Sequence, residues 1–334
     1  MSNISAPFSS LTPDLILDAM SSVHMMGDGR LLALNSYENR VYQVGIEDAP
    51  AVIVKFYRPQ RWTDAQIMEE HQFSLRLAEQ EIPVVAPLII AGKTLQEYGD
   101  FKFAVFPRRG GRIPELDQEG RLEWIGRFLG RIHSIGALEA FQHRPPLDIA
   151  SFGEEPAAWL LANNFIPADL EAAYRSVVEQ ALEGVRHCYA RAGKVSHLRL
   201  HGDCHLSNLL WTDEGPHFVD FDDSRTGPAI QDLWMLLSGE RADMNMQLAE
   251  LLGGYECFYE FNPAELHLVE ALRTLRLIHY SAWIARRWND PAFPMTFTWF
   301  NTQKYWQDRI LELREQIALM AEPPLNVTNG NSWN

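Results

Sequence analysis

Cysteine is scarce in this chain. Cys188, Cys204 and Cys257 are odd in number and far apart, and no CxxC pair occurs, which excludes a disulfide framework and a thiolate zinc site. Long apolar runs are also missing. No stretch reaches the roughly eighteen uncharged apolar residues of a membrane span, and the N-terminal MSNISAPFSSLTPD has neither a basic region nor an apolar one. A soluble, cytoplasmic protein with no membrane partner is expected. Positive charge is in deficit, with 29 Lys and Arg against 44 Asp and Glu, a formal net of −15. Such a surface repels nucleic acid and anionic lipid, so no nucleic-acid partner is expected; beyond that, acidity mainly serves solubility. Internal repeats and low-complexity segments are absent from the sequence. With 46% apolar and 22% charged residues over 334 positions, the chain can bury a sizeable core, divided between two compact bodies.

What is present is clearly punctuated. Thr12 is a good N-cap, Pro13 suits a first helical position, and Leu15, Ile16, Ala19, Met20 and Val23 recur at helical spacing before Gly27. LLALNSYENRVYQVG and AVIVKFY, within 31–57, read as strands joined by the polar turn IEDAP. TDAQIMEEHQFSLRLAEQE, 63–81, reads as a helix capped by Thr63. Two more strands are expected around VVAPLIIAG and FKFAVFP, with the turn Tyr98-Gly99-Asp100 between them. Beyond PRRGGR, 107–112, helical periodicity dominates in RLEWIGRFLGRIHSIG, ALRTLRLIHYSAWIARRW and NTQKYWQDRILELREQIALM, interrupted by a strand segment around 198–221. The expected class is α+β: a small antiparallel-sheet N-lobe over 1–106, a linker at 107–112, a larger mainly helical C-lobe over 113–325 and a frayed tail over 326–334. Tyr280, Trp283, Trp288, Phe293, Phe297, Trp299, Phe300, Tyr305 and Trp306 are expected chiefly in the helical core, with a pocket wall as the alternative.

The chemistry is concentrated in LRLHGDCHLSNLLW, 198–211, and HFVDFDDSRTGP, 217–228. HGD by itself is an ordinary turn between core strands. Here, however, apolar LRL and LLW flank a polar loop, and VDF delivers a further aspartate at a strand end. Asp203 precedes Asn208 by five residues and Asp220 by seventeen. Two carboxylates and an amide are hard oxygen donors that suit Mg²⁺, an ion that takes few protein ligands and leaves room for phosphate oxygens. D-x-x-x-x-N followed by an aspartate at a strand end is the phosphoryl-transfer pattern: one Asp takes the hydroxyl proton, while the Asn and the other Asp hold metal. A zinc centre of His201, Asp203 and His205 is the competing reading. It leaves Asn208 and Asp220 unexplained and lacks the distant ligand such sites recruit. His201 then reads as a buried scaffold for the loop, His205 as loop packing or a substrate neighbour, and Cys204 as a small filler.

Upstream, AVIVKFY places Lys55 in mid-strand, and Glu70 follows fifteen residues later on the expected helix, with Glu69 beside it. A strand lysine facing solvent is commonplace. With the downstream acids, Lys55 reads instead as the contact for nucleotide phosphates and Glu70 as its partner. No G-x-G-x-x-G covers the phosphates. In LNSYENRVYQV, Ser36 offers a hydroxyl, while Asn35 and Asn39 tolerate a left-handed turn, so backbone amides can still cradle phosphate.

HGDCHLSN, VDFDD, VIVKFY and EEHQFSLRL resemble the HGDxxxxN loop, acidic strand end, strand lysine and REHxxL-like helix of the aminoglycoside and choline phosphotransferase superfamily. NSYENRVYQV, VKFYRPQRWT, LHGDCH, GPAIQDLWMLL and RRWNDPAFP are similar, over residues 10–325, to a bacterial branch of serine/threonine protein kinases acting in stress response. The resemblance implies a two-lobed protein-kinase-like fold using ATP and Mg²⁺. It carries over Asp203 as proton acceptor, Asn208 and Asp220 as magnesium ligands, and Ser36 as an ATP-site residue; Lys55 and Glu70 follow from the wider superfamily. Asp222 stands between a second-metal ligand and a turn cap, and Asp232 is expected to brace the catalytic loop. One departure is plain: only eleven residues separate Asp220 from Asp232, with no A-P-E, so the peptide-aligning segment of eukaryotic protein kinases is missing. The residues alone leave open a small alcohol (an amino sugar, choline or homoserine) as acceptor; the resemblance implies a protein serine or threonine hydroxyl. A catalytically silent nucleotide-binding regulator is the reading from another class, and retention of Lys55, Asp203, Asn208 and Asp220 together speaks against it. A monomer is expected.

Overall fold

The computed structural model describes residues 7–326; of the expected tail, 327–334 lie outside the described residues. In chain order the elements are α1 Pro13–Ser22, β1 Gly27–Ala33, β2 Arg40–Ile46, β3 Ala49–Phe56, α2 Asp64–Glu79, β4 Gln96–Tyr98, β5 Phe101–Pro107, α3 Arg121–Gly136, α4 Glu155–Ala162, α5 Glu171–Ala192, β6 Leu198–Arg199, β7 Leu209–Thr212, β8 Gly215–Phe218, β9 Thr226–Gly227, α6 Ile230–Trp234, α7 Arg241–Tyr255, α8 Val269–Arg286, α9 Ala292–Thr296 and α10 Gln303–Ala321. The class is α+β, a five-stranded antiparallel sheet with a larger set of helices. The chain gathers into two compact units. The first is the chain up to Pro114 with Ser207–Asp222 and Asp290–Ala292; the second is Glu115–Leu206, Asp223–Asn289 and the chain from Phe293 onward. Among the described residues no helix is long and apolar enough to cross a membrane.

In the first unit the strand order is β1-β2-β3-β5-β4. Side chains alternate across a strand, and β3 uses both faces. Val52, Val54 and Phe56 join Phe101, Phe103 and Val105 of β5 in a core with Ile16, Ala19 and Met20 of α1. The other face presents Lys55 and, just after the strand, Tyr57, which packs with Ala104 of β5 and Ile67 of α2. The start of α2 is set by a capping box: Gln66 N–H donates to Thr63 Oγ1 at 3.3 Å, and Thr63 N–H donates to Gln66 Oε1 at 2.9 Å. The expected strand over VVAPLIIAG does not form. Pro87 has no N–H to give a ladder, and the segment instead docks on β8, with Val85 N–H donating to Phe218 O at 3.0 Å and Phe218 N–H to Pro83 O at 2.8 Å.

The second unit is built on α4, α5, α8 and α10, whose apolar faces form one continuous core. Of the aromatic cluster, Phe293, Phe297, Phe300, Tyr305 and Trp306 are buried within it, Tyr280, Trp283 and Trp288 are half-buried, and Trp299 is 45% exposed. Helices α3 and α7 cross so closely that a Cβ on Gly254 would sit 1.9 Å from the Glu123 carbonyl oxygen. Backbone cannot retreat as a side chain can. Gly254→Ala is therefore expected to cost roughly 1–3 kcal/mol through overpacking, more than the ~1 kcal/mol that alanine gains in helix propensity. A thermal unfolding midpoint lowered by several degrees is the expected result; an unchanged midpoint would mean the crossing yields freely.

Candidate active site

Lys55 enters the site because β3 pairs on both sides, with Val41 of β2 and Ala104 of β5, so its backbone is held and only its side chain has latitude. Its Nζ lies 3.6 Å from Glu70 Oε1, 3.1 Å from Asp220 Oδ1 and 2.9 Å from Asp222 Oδ1. It is Glu70 of the expected pair that reaches the lysine. Burial works against the charged ammonium, but Asp222, Glu70 and Asp220 outweigh it and hold the Lys55 pKa well above its ordinary value. Asp222 also pairs through its other oxygen with Arg61. Both oxygens thus face cations of the chain, Lys55 on one side and Arg61 on the other.

Asp220 is different: its side chain is 56% exposed. Its backbone sits at φ +61°, in the left-handed region that non-glycine residues enter at some cost. The next residue explains how that conformation is held, since buried Phe221 packs edge-on against Phe73 of α2 with ring centres 6.0 Å apart. The β7–β8 hairpin brings Asn208 to the same end. Leu209 pairs with Phe218, and Val219 N–H donates to Asn208 O at 3.0 Å. The first unit thus assembles Lys55, Glu70, Asn208 and Asp220. Ser36, in the loop before β2, donates its hydroxyl to Asn39 O at 3.2 Å. Neither Asn35 nor Asn39 takes the expected left-handed conformation. Asn39 is instead buried, its Oδ1 accepting from Arg58 N–H at 3.0 Å.

Asp203 belongs to the second unit. Arg276 Nη1 of α8 donates to its Oδ1 at 2.7 Å, and His205 Nε2 lies 3.2 Å from its Oδ2. Burial alone would raise the Asp203 pKa; His205 and Arg276 reverse this and hold the carboxyl well below the usual range. The loop is braced from behind by fully buried Asp232, which accepts from His201 N–H at 2.8 Å and Gly202 N–H at 2.9 Å. Asp232 also meets His133 Nε2 at 3.0 Å, while the other nitrogen of that ring lies 2.8 Å from the Tyr255 hydroxyl. Gly202 is required here, with φ at +87° and a would-be Cβ 2.2 Å from Asp223 O. Helix α6, which carries Asp232, is held at its start by buried Glu265, whose Oε2 accepts from Ile230 N–H at 2.9 Å.

The His201 ring is fully buried, its Nδ1 accepting from Asp203 N–H at 3.4 Å. Among the described residues no three His, Cys, Asp or Glu are grouped to hold a metal ion, and an inward-facing His201 does not fit the zinc reading. Burial pushes the Cys204 thiol well above its usual range, as expected of a filler. Sequence reasoning missed Arg276, Arg61 and Arg58. The available signal for Arg276 was its place four residues after Leu272 on the apolar side of α8, an odd position for a solvated charge.

The sequence pattern of the phosphotransferase enzyme family (APH) matches residues 30–269. The chain is 46% identical over 328 residues to Stress response kinase A of Escherichia coli, spanning 98% of this chain and 99% of that protein. It is 46% identical over 321 residues to Serine/threonine protein kinase RdoA of Salmonella typhimurium, spanning 96% and 97% respectively. Among solved structures, Amicoumacin kinase hAmiN in complex with AMP-PNP, Ca²⁺ and Ami matches with a TM-score of 0.72 at 20% identity, over 94% of this chain and 95% of that one. At that identity the likeness bears on the fold, which is kinase-like.

Burial pushes the Glu265 pKa from 4.5 up to about 7. The folded state therefore favours the neutral acid, and this contribution to stability is complete below the unfolded value and lost as pH rises through about 7. Glu265→Gln should abolish that loss. Thermal melts from about pH 5 to about pH 8 are expected to show the variant gaining on the wild type as pH rises; a constant offset would refute the assignment.

Proposed function

Because this chain belongs to the phosphotransferase enzyme family, we propose that it is an ATP- and Mg²⁺-dependent serine/threonine protein kinase of the aminoglycoside-phosphotransferase type, acting in bacterial stress response. The observation that carries the reading is the buried, permanently charged Lys55, shared by Glu70 and Asp220 at the end of a hairpin that also presents Asn208. An exposed carboxylate and an amide oxygen are the hard donors magnesium prefers, and few of them are needed when phosphate oxygens complete the shell. The residues fit the ion. When bound, it would neutralise charge on the phosphoryl oxygens and be held by Asn208 and Asp220.

The chain's own groups do the rest. Lys55 binds the α/β-phosphates, with Glu70 holding it in place, and Ser36 contributes from the covering loop. Asp203, ionised at neutral pH, accepts the hydrogen bond of the incoming hydroxyl, orients it and takes its proton as the new oxygen–phosphorus bond forms and the bond from the γ-phosphorus to the β-phosphate oxygen breaks, releasing ADP. Arg276 and His205 fix the carboxylate, and Asp232 fixes the loop. The names of the two curated relatives support a protein hydroxyl as acceptor. One observation favours the second reading, a small alcohol: between Asp220 and the start of α6 at Ile230 the chain makes only a single 3₁₀ turn and the two-residue β9. The reading further takes the enzyme to act as a cytoplasmic monomer, with a surface of net −15 that suits neither nucleic acid nor membrane.

Radiolabelled ATP, Mg²⁺, a generic protein acceptor and a panel of amino alcohols test the reading directly. Label is expected on serine or threonine of the protein, and Asp203→Asn should lower turnover by about 10²–10⁴-fold while ATP binding persists. Label entering only the amino alcohols would overturn the protein-kinase reading. Arg276→Ala removes a cation that holds Asp203 ionised, so the carboxyl should protonate at higher pH. The acidic limb of the pH–rate profile is therefore expected to move upward, and an unmoved limb would show that Arg276 does not act on Asp203.

A further inference from the structure

The loop of residues 34–39 contains no glycine and, among its residues, none with positive φ. If it covers the phosphates of ATP, something other than glycine must set its shape. Three of its successive carbonyls are held by two arginines. Arg58 Nε donates to Glu38 O at 3.0 Å and Nη2 to Tyr37 O at 3.4 Å, while Arg40 Nη1 donates to Tyr37 O and Asn39 O, both at 3.2 Å. The Ser36 hydroxyl adds a further donor to Asn39 O at 3.2 Å. Because N–H and C=O of a trans peptide point in opposite directions, pinning these oxygens turns the N–H groups of the same peptide units away from the arginines. That is the orientation a phosphate-binding concavity uses.

The arginines are themselves held. Arg58 Nη2 lies 2.6 Å from Asp290 Oδ2 and its Nε 2.8 Å from Glu38 Oε1; Arg40 Nη2 is 3.5 Å from the same Asp290 oxygen. The other Asp290 oxygen accepts from Ala292 N–H at 3.1 Å, fixing the carboxylate in turn. Arg58, Glu38, Asn39 and Asp290 are all buried, so these pairs are not screened as surface pairs are. Asp290 lies 250 residues from Arg40 in sequence, yet the short Asp290–Ala292 segment groups with the first unit. The motif RRWNDPAFP has no role in the chemistry derived above, and this grouping supplies one.

We propose that Arg58, Arg40 and Asp290 are positioning residues for the nucleotide: a buried guanidinium–carboxylate staple that presets the Ser36–Asn39 loop in place of a glycine-rich sequence. The proposal rests on the reading of that loop as part of an ATP site. Arg58 acts on the loop's backbone rather than on the reacting atoms, so its loss should weaken nucleotide binding and spare the chemical step.

The test is titration of the full chain with a fluorescent ATP analogue and Mg²⁺, alongside steady-state kinetics, for wild type, R58A, R58K and D290N, each first checked for folding by thermal melt. Losing a charged hydrogen-bond pair is expected to raise Kd and KM for ATP by about 10-fold with kcat changed by no more than about two-fold. R58K should be intermediate, since an ammonium cannot span two carbonyls and two carboxylates. Wild type that fails to bind the analogue would sink the ATP-site reading itself. Wild type that binds, with all variants binding equally well or losing kcat at unchanged KM, would overturn the staple. Should R58A fail to fold, R58K and D290N decide by the same two criteria.

Discussion

Lys55 puts a fixed positive charge inside a small sheet, where water cannot solvate it, and the carboxylates gathered to keep it charged determine much of what surrounds it. At an effective dielectric constant of about 20, each carboxylate near contact distance is worth about 4 kcal/mol to the ammonium, enough for three together to outweigh desolvation. One comes from α2, and two come from the end of the β7–β8 hairpin, more than 160 residues away in sequence. The ion pairs therefore tie helix, sheet and hairpin to one point. They also give two neighbouring aspartates different roles. Asp222 is buried against Lys55 and Arg61, whereas the Asp220 side chain, though also paired with Lys55, is 56% exposed.

The charge pattern continues outward. From Lys55 it passes through Asp222, Arg61, Glu38 and Arg58 to Asp290, with signs alternating at every step. A chain of buried charges is stable only when each is paired, and removing one partner strands the next. Rigidity of this kind suits a site whose catalysis is positioning and electrostatics rather than covalent chemistry. The Asp203 loop follows the same rule by other means. Backbone N–H groups converge on buried Asp232, while the Asp203 carboxylate is oriented by Arg276 and His205.

Where signals are local, the sequence was readable. Thr63 and Gln66 mark the start of α2 because a capping box is complete within four residues, and a strand lysine followed fifteen residues later by a helix glutamate marks the Lys55–Glu70 pair, 3.6 Å apart. The D-x-x-x-x-N spacing and the later aspartate mark the candidate oxygen donors. Reading failed where a side chain's meaning depends on a distant partner. Arg58, Arg61 and Arg276 look like surface charges until Glu38, Asp222 and Asp203 are placed beside them. VVAPLIIAG has the composition of a strand, but Pro87 denies it a ladder, and β8, well over a hundred residues on, satisfies its backbone instead. Asn35 and Asn39 offered a left-handed turn that the loop does not use, because arginine donors shape it.

Central to the proposed chemistry is that Asn208 and Asp220 hold the metal beside a nucleotide on Lys55. Crystals grown with a non-hydrolysable ATP analogue and Mn²⁺ would locate the ion by its anomalous scattering. A peak within bonding distance of both the Asn208 amide oxygen and the Asp220 carboxylate, with the phosphates on Lys55, is the expected result. A peak on His205 and Asp203, or none near Asp220, would contradict it.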